Sequence, residues 1–357
     1  MKNIGLIGCG NIAETYFRAQ DYFNNINFIA CADKLPDAAK KCADQYKIKS
    51  STVDEVLNDS EVDVILNLTI PQAHYEISKL ALESGKHVYS EKPMSIKYNE
   101  AKELVDLANK KNLFIGNAPD TFLGGGGQVA RQFVDRDDIG QVLTGNFIFA
   151  FPGVQEFHPN PESWFQSGGG PVIDLLHMLD LALFYMGYPD PQHVLAQTFN
   201  DFIENKSFKG PWGIPDVADG VTDVESAAHG FIRFTTGQVL SYQVSWAEMN
   251  KREEVSVTFQ GQKAGGMIRR LFNVDGLDET SIDDCELYVQ ENGRSVNRSI
   301  ITEPNEDMGR IRAAQNFVLT IEGDEKPLNT PDQALKLMKI IDATYESASS
   351  GRPVVIS

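Results

Sequence analysis

The chain has 357 residues, 42% of them hydrophobic and 23% charged, and a formal net charge of −18. Its length predicts roughly two globular domains, and its longest apolar runs, such as Val64 to Leu68 and Phe147 to Phe151, fall far below the ~20 residues that cross a bilayer. The acidity opposes nucleic-acid binding, which draws its affinity largely from Lys and Arg on phosphate, and most of it lies after residue 120, where it reads as solvated surface.

The N-terminus runs directly into Lys2 to Gly8 with no apolar signal region, so the cytoplasm is the expected compartment. Short apolar runs then alternate with helical patterns. Ile4 to Ile7, Phe28 to Ala32, Val64 to Leu68, His87 to Tyr89 and Phe114 to Ile115 read as strands, and Pro36 to Tyr46, Ala73 to Glu83 and Asn99 to Lys111 as helices. Such alternation predicts a doubly wound parallel sheet covered on both faces, a Rossmann-type domain over residues 1–120. Beyond it the pattern changes to longer alternating runs, Ala227 to Phe234, Val239 to Trp246 and Glu254 to Phe259, which predict an α+β domain over 121–357 on an open, mainly antiparallel sheet. Gly124 to Gly127 and Gly168 to Gly170 read as flexible turns. Thr330-Pro331 reads as a cap and first-turn proline for a final helix through about Ala348, which could pack back on the first domain.

Gly8-Cys9-Gly10-Asn11-Ile12-Ala13 is a GxGxxA that follows a predicted strand and opens a predicted helix. Gly8 permits the tight turn, Gly10 lets backbone approach a pyrophosphate, and Ala13 lets helix and strand pack closely. Asp33 ends the next strand about 20 residues on, where a ribose hydroxyl is expected. Gly8, Gly10, Asn11, Ile12 and Asp33 are therefore candidate cofactor-binding residues. Asp33 favours NAD, because a 2′-phosphate would meet a carboxylate, while Lys34 beside it leaves NADP open. Ligands of doubly wound sheets sit beyond the carboxyl ends of the strands. Thr69, Pro71 and His74, after the strand ending at Leu68, can thus face the dinucleotide, although His74 alone also fits a surface histidine at a helix start. The same logic places Ser90-Glu91-Lys92-Pro93 at the end of the following strand.

These segments, with "GKHVYSEKP", "GGGPVIDLLHMLD" and "NFVLTIEGDEKPLNTPDQALKLM" in that order, resemble the glucose-fructose oxidoreductase/inositol dehydrogenase family, often called Gfo/Idh/MocA, over nearly the whole chain. "GNAPDTFLGGGGQVARQFVD" is similar to a branch acting on sugars or related polyols. The resemblance implies an NAD(P)-dependent dehydrogenase acting on a secondary alcohol of a sugar or polyol. Lys92 would be the catalytic lysine, Glu91 would lie nearer the cofactor, and His177 would be the general base, with Asp174 orienting it. A lysine in a cleft loses basicity by desolvation and its donors can orient an alkoxide. Asp174 and His177, three apart on a helix, share one face. The family commonly spaces this pair by four, and many relatives of the branch carry tyrosine at the second position; a one-residue deletion accounts for the difference. Asp180 and His158 stay open as further members of the site, and Trp164 can stack on a sugar face or belong to the core.

Cys9, Cys31, Cys42 and Cys285 show no CxxC spacing and read as free thiols, and the six histidines show no HxxxH or HExxH, so no metal is expected. By analogy with relatives, the second domain's sheet suits self-association as a homodimer or homotetramer. Two other functions fit the same motifs: an NAD-dependent glycoside hydrolase using transient sugar oxidation, and a dinucleotide-binding regulator without chemistry.

Overall fold

The computed structural model describes residues 1–118, 125–151, 169–174, 176–201, 224–250, 253–271, 282–302 and 309–356. They form two compact units, the first comprising Met1–Asp120 with Gly309–Met338 and the second Thr121–Met308 with Lys339–Ser357. Among the described residues no helix is long and apolar enough to cross a membrane.

The first unit is a six-stranded parallel sheet. Its strands are β1 (Lys2–Ile7), β2 (Ile26–Ala32), β3 (Lys49–Ser50), β4 (Val64–Asn67), β5 (His87–Ser90) and β6 (Ile115–Asn117), in the order β3-β2-β1-β4-β5-β6. The inner strands are buried on both faces, as a doubly wound sheet requires, with Leu6, Cys31, Ile65 and Val88 fully buried, while the short edge strand β3 is exposed. Strand order reverses between β1 and β4, and that switch point is where such sheets bind ligands. Four longer helices, α3 (Pro36–Tyr46), α4 (Val53–Asn58), α5 (Pro71–Glu83) and α6 (Tyr98–Lys111), follow the short pair α1 (Ala13–Phe17) and α2 (Ala19–Tyr22). Proline opens α3 and α5, where its missing N–H costs nothing. Thr52 and Glu55 cap α4 reciprocally, and Lys47 and Asn112 end α3 and α6 in the left-handed conformation.

The second unit opens with α7 (Gly125–Asp135), so Gly125 to Gly127 begin a helix and not the flexible turn their composition suggests. Gly124 and Gly168, the outer members of the two glycine runs, lie outside the described residues. A nine-stranded sheet follows, in the order β14-β13-β12-β11-β7-β10-β9-β8-β15. Its strands are β7 (Val142–Ala150), β8 (Pro191–Phe199), β9 (Ala227–Phe234), β10 (Val239–Ser245), β11 (Glu254–Gly261), β12 (Gly265–Leu271), β13 (Ile282–Glu291), β14 (Arg294–Ile300) and β15 (Val354–Val355). Among the described residues of this sheet only β7 and β10 pair in parallel, and the other pairings are antiparallel. The helices α8 (Pro171–Asp174) and α9 (Leu176–Met186) lie against the sheet, and α9 is buried almost all round.

The chain then returns to the first unit. Helix α10 (Arg310–Glu322) lays Phe317 against Tyr89, ring centroids 5.2 Å apart, over a spot where only Gly116 leaves room. Asn316 gathers the following turn, donating to Glu325 Oε2 (2.8 Å) and accepting from the Leu328 N–H (2.9 Å). The last helix, α11 (Pro331–Ser350), starts with the expected cap: the Thr330 N–H donates to Gln333 Oε1 (2.7 Å) and Thr330 Oγ1 accepts from the Gln333 N–H (3.3 Å). The division between the units falls within this helix, after Met338.

Candidate active site

The dinucleotide loop is built at the carboxyl end of β1. Gly8 has φ +102, and a Cβ there would stand 2.5 Å from the backbone of Leu68, so the turn from β1 into α1, packed against the chain just after β4, admits glycine alone. Gly10 differs: a Cβ at that position would meet nothing within 4 Å, which leaves the backbone open on one side. Asp33, half-buried after β2, accepts from the Cys9 N–H (2.7 Å) and the Leu35 N–H (2.8 Å), which fixes its carboxylate against the loop. Lys34 beside it is exposed. A backbone open at Gly10 with a carboxylate at the end of β2 fits the pyrophosphate and ribose of a dinucleotide.

Beyond β4 the residues form one connected network. Asn67, fully buried, donates to Ser78 Oγ (3.0 Å) and the His74 carbonyl (3.1 Å) and accepts from Thr69 Oγ1 (2.7 Å). His74 is buried, not a surface histidine, and its ring spans two loops: Nδ1 lies 2.6 Å from the Pro93 carbonyl oxygen and Nε2 2.8 Å from that of Thr69. Burial lowers the imidazole's pKa, against the two carbonyl oxygens and Glu91, which favour the protonated ring. Pro71 is the first residue of α5. Thus Thr69, Pro71 and His74 do come together at the strand end, with His74 turned into the fold.

Lys92 follows β5, half-buried, with a cis peptide to Pro93. The backbone leading to it is fixed by a set of hydrogen bonds. The Lys92 N–H donates to Glu91 Oε2 (3.1 Å), Glu91 N–H donates to the Asn67 carbonyl (2.9 Å), and Asn117 Nδ2 donates to the carbonyls of Ser90 (3.1 Å) and Glu91 (2.9 Å). The Asn117 carbonyl in turn accepts from Asn329 Nδ2. Glu91 is itself buried; its Oε1 accepts from the Tyr16 hydroxyl (2.8 Å) and lies 3.6 Å from Arg310 Nε. Its carboxylate is therefore engaged by α1, α10 and the Lys92 backbone.

In the second unit, Gly169 and Gly170, at φ +85 and +84, turn the chain into α8. A Cβ at Gly170 would stand 2.3 Å from the Glu225 carboxylate, whose Oε1 accepts from the Val172 N–H and the Tyr345 hydroxyl, both at 3.0 Å. Asp174 ends α8 and accepts from the indole N–H of the fully buried Trp246 (3.2 Å). His177, in the first turn of α9, is 8% exposed. Asp180 is buried and accepts from the Tyr188 hydroxyl (2.8 Å). Burial, and then the Asp180 charge, push that phenol's pKa well up. His158 and Trp164 lie outside the described residues.

Asn67, Asn117, Tyr16, Arg310, Trp246 and Glu225 were not singled out from the sequence. Asn67 and Asn117 had a readable signal, a polar residue closing an otherwise apolar strand; the others depend on partners distant in the chain.

A GxGxxA turn at the switch point of a 3-2-1-4-5-6 sheet, with a second, mixed-sheet unit, defines a dinucleotide-binding protein of the two-domain type. Residues 2–117 match the model of the oxidoreductase family, NAD-binding Rossmann fold, and residues 131–356 that of the same family's C-terminal alpha/beta domain. The chain belongs to the Gfo/Idh/MocA family. It is 28% identical to D-glucoside 3-dehydrogenase of Escherichia coli over 98% of this chain and 96% of that protein. It is 23% identical to 1,5-anhydro-D-fructose reductase of Ensifer adhaerens over 81% and 85%. Its fold is similar to that of levoglucosan dehydrogenase in complex with NADH and levoglucosan (TM-score 0.80, 20% identity, 99% of each chain). The chain is thus an NAD-dependent oxidoreductase with the expected Rossmann and mixed-sheet architecture.

Proposed function

We propose that this enzyme reversibly oxidises a secondary hydroxyl of a cyclic sugar or related polyol, with Lys92, His177 and Asp174 as its catalytic residues. The observation that carries the reading is the immobilisation of Lys92. An ordinary surface lysine needs no fixed backbone, yet the N–H of this one is held by Glu91, whose own backbone is held by Asn67 and Asn117, and the Pro93 carbonyl that follows lies against His74. The substrate class is carried over from the names of the relatives, which act on glucosides, anhydrosugars and inositols.

Bound NAD supplies the hydride acceptor. Gly8, Gly10, Asn11 and Ile12 would hold its pyrophosphate, with Thr69 and Pro71 alongside. Asp33 would take the ribose hydroxyls, which selects NAD over NADP because a 2′-phosphate would meet the carboxylate. The Lys92 ammonium orients the substrate hydroxyl and stabilises its oxygen as negative charge develops. His177 accepts the hydroxyl proton, and Asp174, itself steadied by Trp246, favours the imidazolium that results. Glu91 acts on Lys92 and not on substrate. Self-association would use the solvent face of the nine-stranded sheet, where Leu195, Phe199 and Phe231 are exposed.

The test is NAD reduction, followed by absorbance, across glucose, methyl glucosides, levoglucosan and inositols. Substrate-dependent NADH formation abolished by Lys92→Met supports the proposal. Binding of NAD with no reduction of it, or aglycone release without net NADH, overturns it.

A further inference from the structure

Three of the four cysteines meet in the first unit, although nothing in their spacing announces it. The sulfurs of Cys9, Cys31 and Cys42 all lie within 4.8 Å of one another. The topology explains why. Cys31 sits in β2 opposite Leu6 of β1, and Cys9 follows two residues after that strand ends, its sulfur 3.6 Å from the Ala32 carbonyl. Helix α3 then folds back over β2, placing the Ala39 carbonyl 3.4 Å from the Cys31 sulfur and Cys42 one turn further along. Cys31 and Cys42 are buried, while Cys9 is half-exposed.

From this arrangement we propose that Cys9, Cys31 and Cys42 form a three-thiolate site for one soft d10 cation, and that its occupancy is coupled to dinucleotide binding. Zinc–thiolate bonds of about 2.3 Å separate the sulfurs of a trigonal or tetrahedral site by roughly 3.8 to 4.0 Å. The trio therefore needs a contraction of less than about an ångström to close on a metal of that size. Among the described residues no carboxylate or imidazole joins the cluster, and an all-sulfur donor set selects Zn(II), Cd(II) or Cu(I) over hard cations. The half-exposed Cys9 leaves a way in from solvent and room for a fourth, exogenous ligand. Binding displaces the thiol protons to solvent and leaves the cation held by three anionic sulfurs.

Coupling follows from position. Cys9 stands between Gly8 and Gly10, and its N–H is one of the two donors that fix Asp33. A cation that draws its sulfur toward Cys31 and Cys42 moves the turn on which the NAD reading rests, and linkage makes the effect reciprocal.

The experiment is a titration of the full-length protein with Cd(II) under a non-thiol reductant, read by the sulfur-to-cadmium charge-transfer band and repeated with NAD present. A band that saturates at one equivalent is expected. Cys42→Ser and Cys31→Ser should each weaken it by at least about tenfold, while Cys285→Ser, altering a buried thiol of the other sheet, should leave it unchanged. Saturating NAD should shift the Cd(II) midpoint by the same factor by which Cd(II) shifts NAD affinity. No band from the wild-type protein overturns the site, whatever happens to the variants. A band that survives both cysteine substitutions also overturns it, and a Cd(II) midpoint indifferent to NAD overturns the coupling. Because the band needs neither substrate nor turnover, a failure of the proposed dehydrogenase activity leaves its outcome readable.

Discussion

His74 holds the Pro93 carbonyl oxygen 2.6 Å from its Nδ1 while its Nε2 faces the Thr69 carbonyl at 2.8 Å, so a single buried ring ties the loop after β4 to the loop that presents Lys92. Burial favours the neutral ring, which has one N–H to give, so removing it strands one carbonyl acceptor, worth about 1–3 kcal/mol of desolvation. His74→Leu is expected to lower kcat by roughly tenfold or more while the protein still binds NAD. His74→Gln, which restores one donor, should recover part of the loss. Equal kcat in all three proteins would show that the ring only fills space.

Lys92 is expected to act on the reacting oxygen and not on cofactor binding. Lys92→Met should reduce kcat by about 10² to 10⁴-fold, with the affinity for NAD, measured by calorimetry, unchanged. Full turnover on the true substrate would remove Lys92 from the mechanism.

The two glycines of the loop should part company. Gly8→Ala places a Cβ 2.5 Å from the Leu68 backbone at φ +102 and should cost more than about 1 kcal/mol of stability. Gly10→Ala meets nothing within 4 Å and should leave Tm nearly unchanged while weakening NAD binding. If Gly10→Ala binds NAD as tightly as wild type, the open side of that backbone is not where the pyrophosphate lies.

Glu225 gives stability a pH dependence of definite sign. Burial raises its carboxyl pKa above the ordinary value, overcoming the Val172 N–H and Tyr345 hydroxyl, which favour the ionised form. The folded protein therefore keeps this proton at a pH where the unfolded chain has released it. The resulting stabilisation is complete below the ordinary carboxylate value and is lost as pH rises through the folded one. Glu225→Gln, which retains an acceptor for both donors, should match wild type near pH 4 and gain Tm relative to it toward neutrality. A difference in Tm that stays constant from pH 4 to 8 would contradict the assignment.

Arg310 and Glu91 are both largely buried, their side chains 11% and 10% exposed. Arg310→Met leaves the carboxylate beside Tyr16 without its cation and should destabilise by about 3 kcal/mol. Because Glu91 also accepts from the Lys92 N–H, kcat should fall as well. Thermal unfolding together with steady-state kinetics would check both, and a variant of unchanged Tm would show that the pair contributes nothing.

The Rossmann half was legible because parallel strands buried on both faces are written as continuous apolar runs, such as Val64 to Leu68, punctuated by proline-started helices. The second sheet was read in part. Ala227 to Phe234 and Val239 to Trp246 alternate plainly, but β14, Arg-Ser-Val-Asn-Arg-Ser-Ile, has almost no buried face and carries no such signal. Helix α7 begins with three glycines, the least helical of ordinary residues, so propensity pointed to a turn. The same distinction runs through the site. Gly8, Asp33 and Lys92 belong to contiguous motifs and could be found one segment at a time. Arg310, Trp246 and the cysteine trio acquire their meaning only from partners brought in by the fold, and no spacing rule spans that separation.

The return of the chain through α10 also sets an order of events during synthesis. Glu91 and Tyr89 leave the ribosome roughly 220 residues before Arg310 and Phe317, an interval of about 10 to 40 s at ordinary elongation rates. Throughout that interval the nascent cofactor unit holds a buried-type carboxylate without its arginine and an aromatic face without its cover, a state a chaperone can bind. Truncation ahead of residue 309 should accordingly damage the N-terminal unit as well as the second, and a nucleotide-binding fragment designed on this fold should carry residues 309–338 grafted onto 1–120.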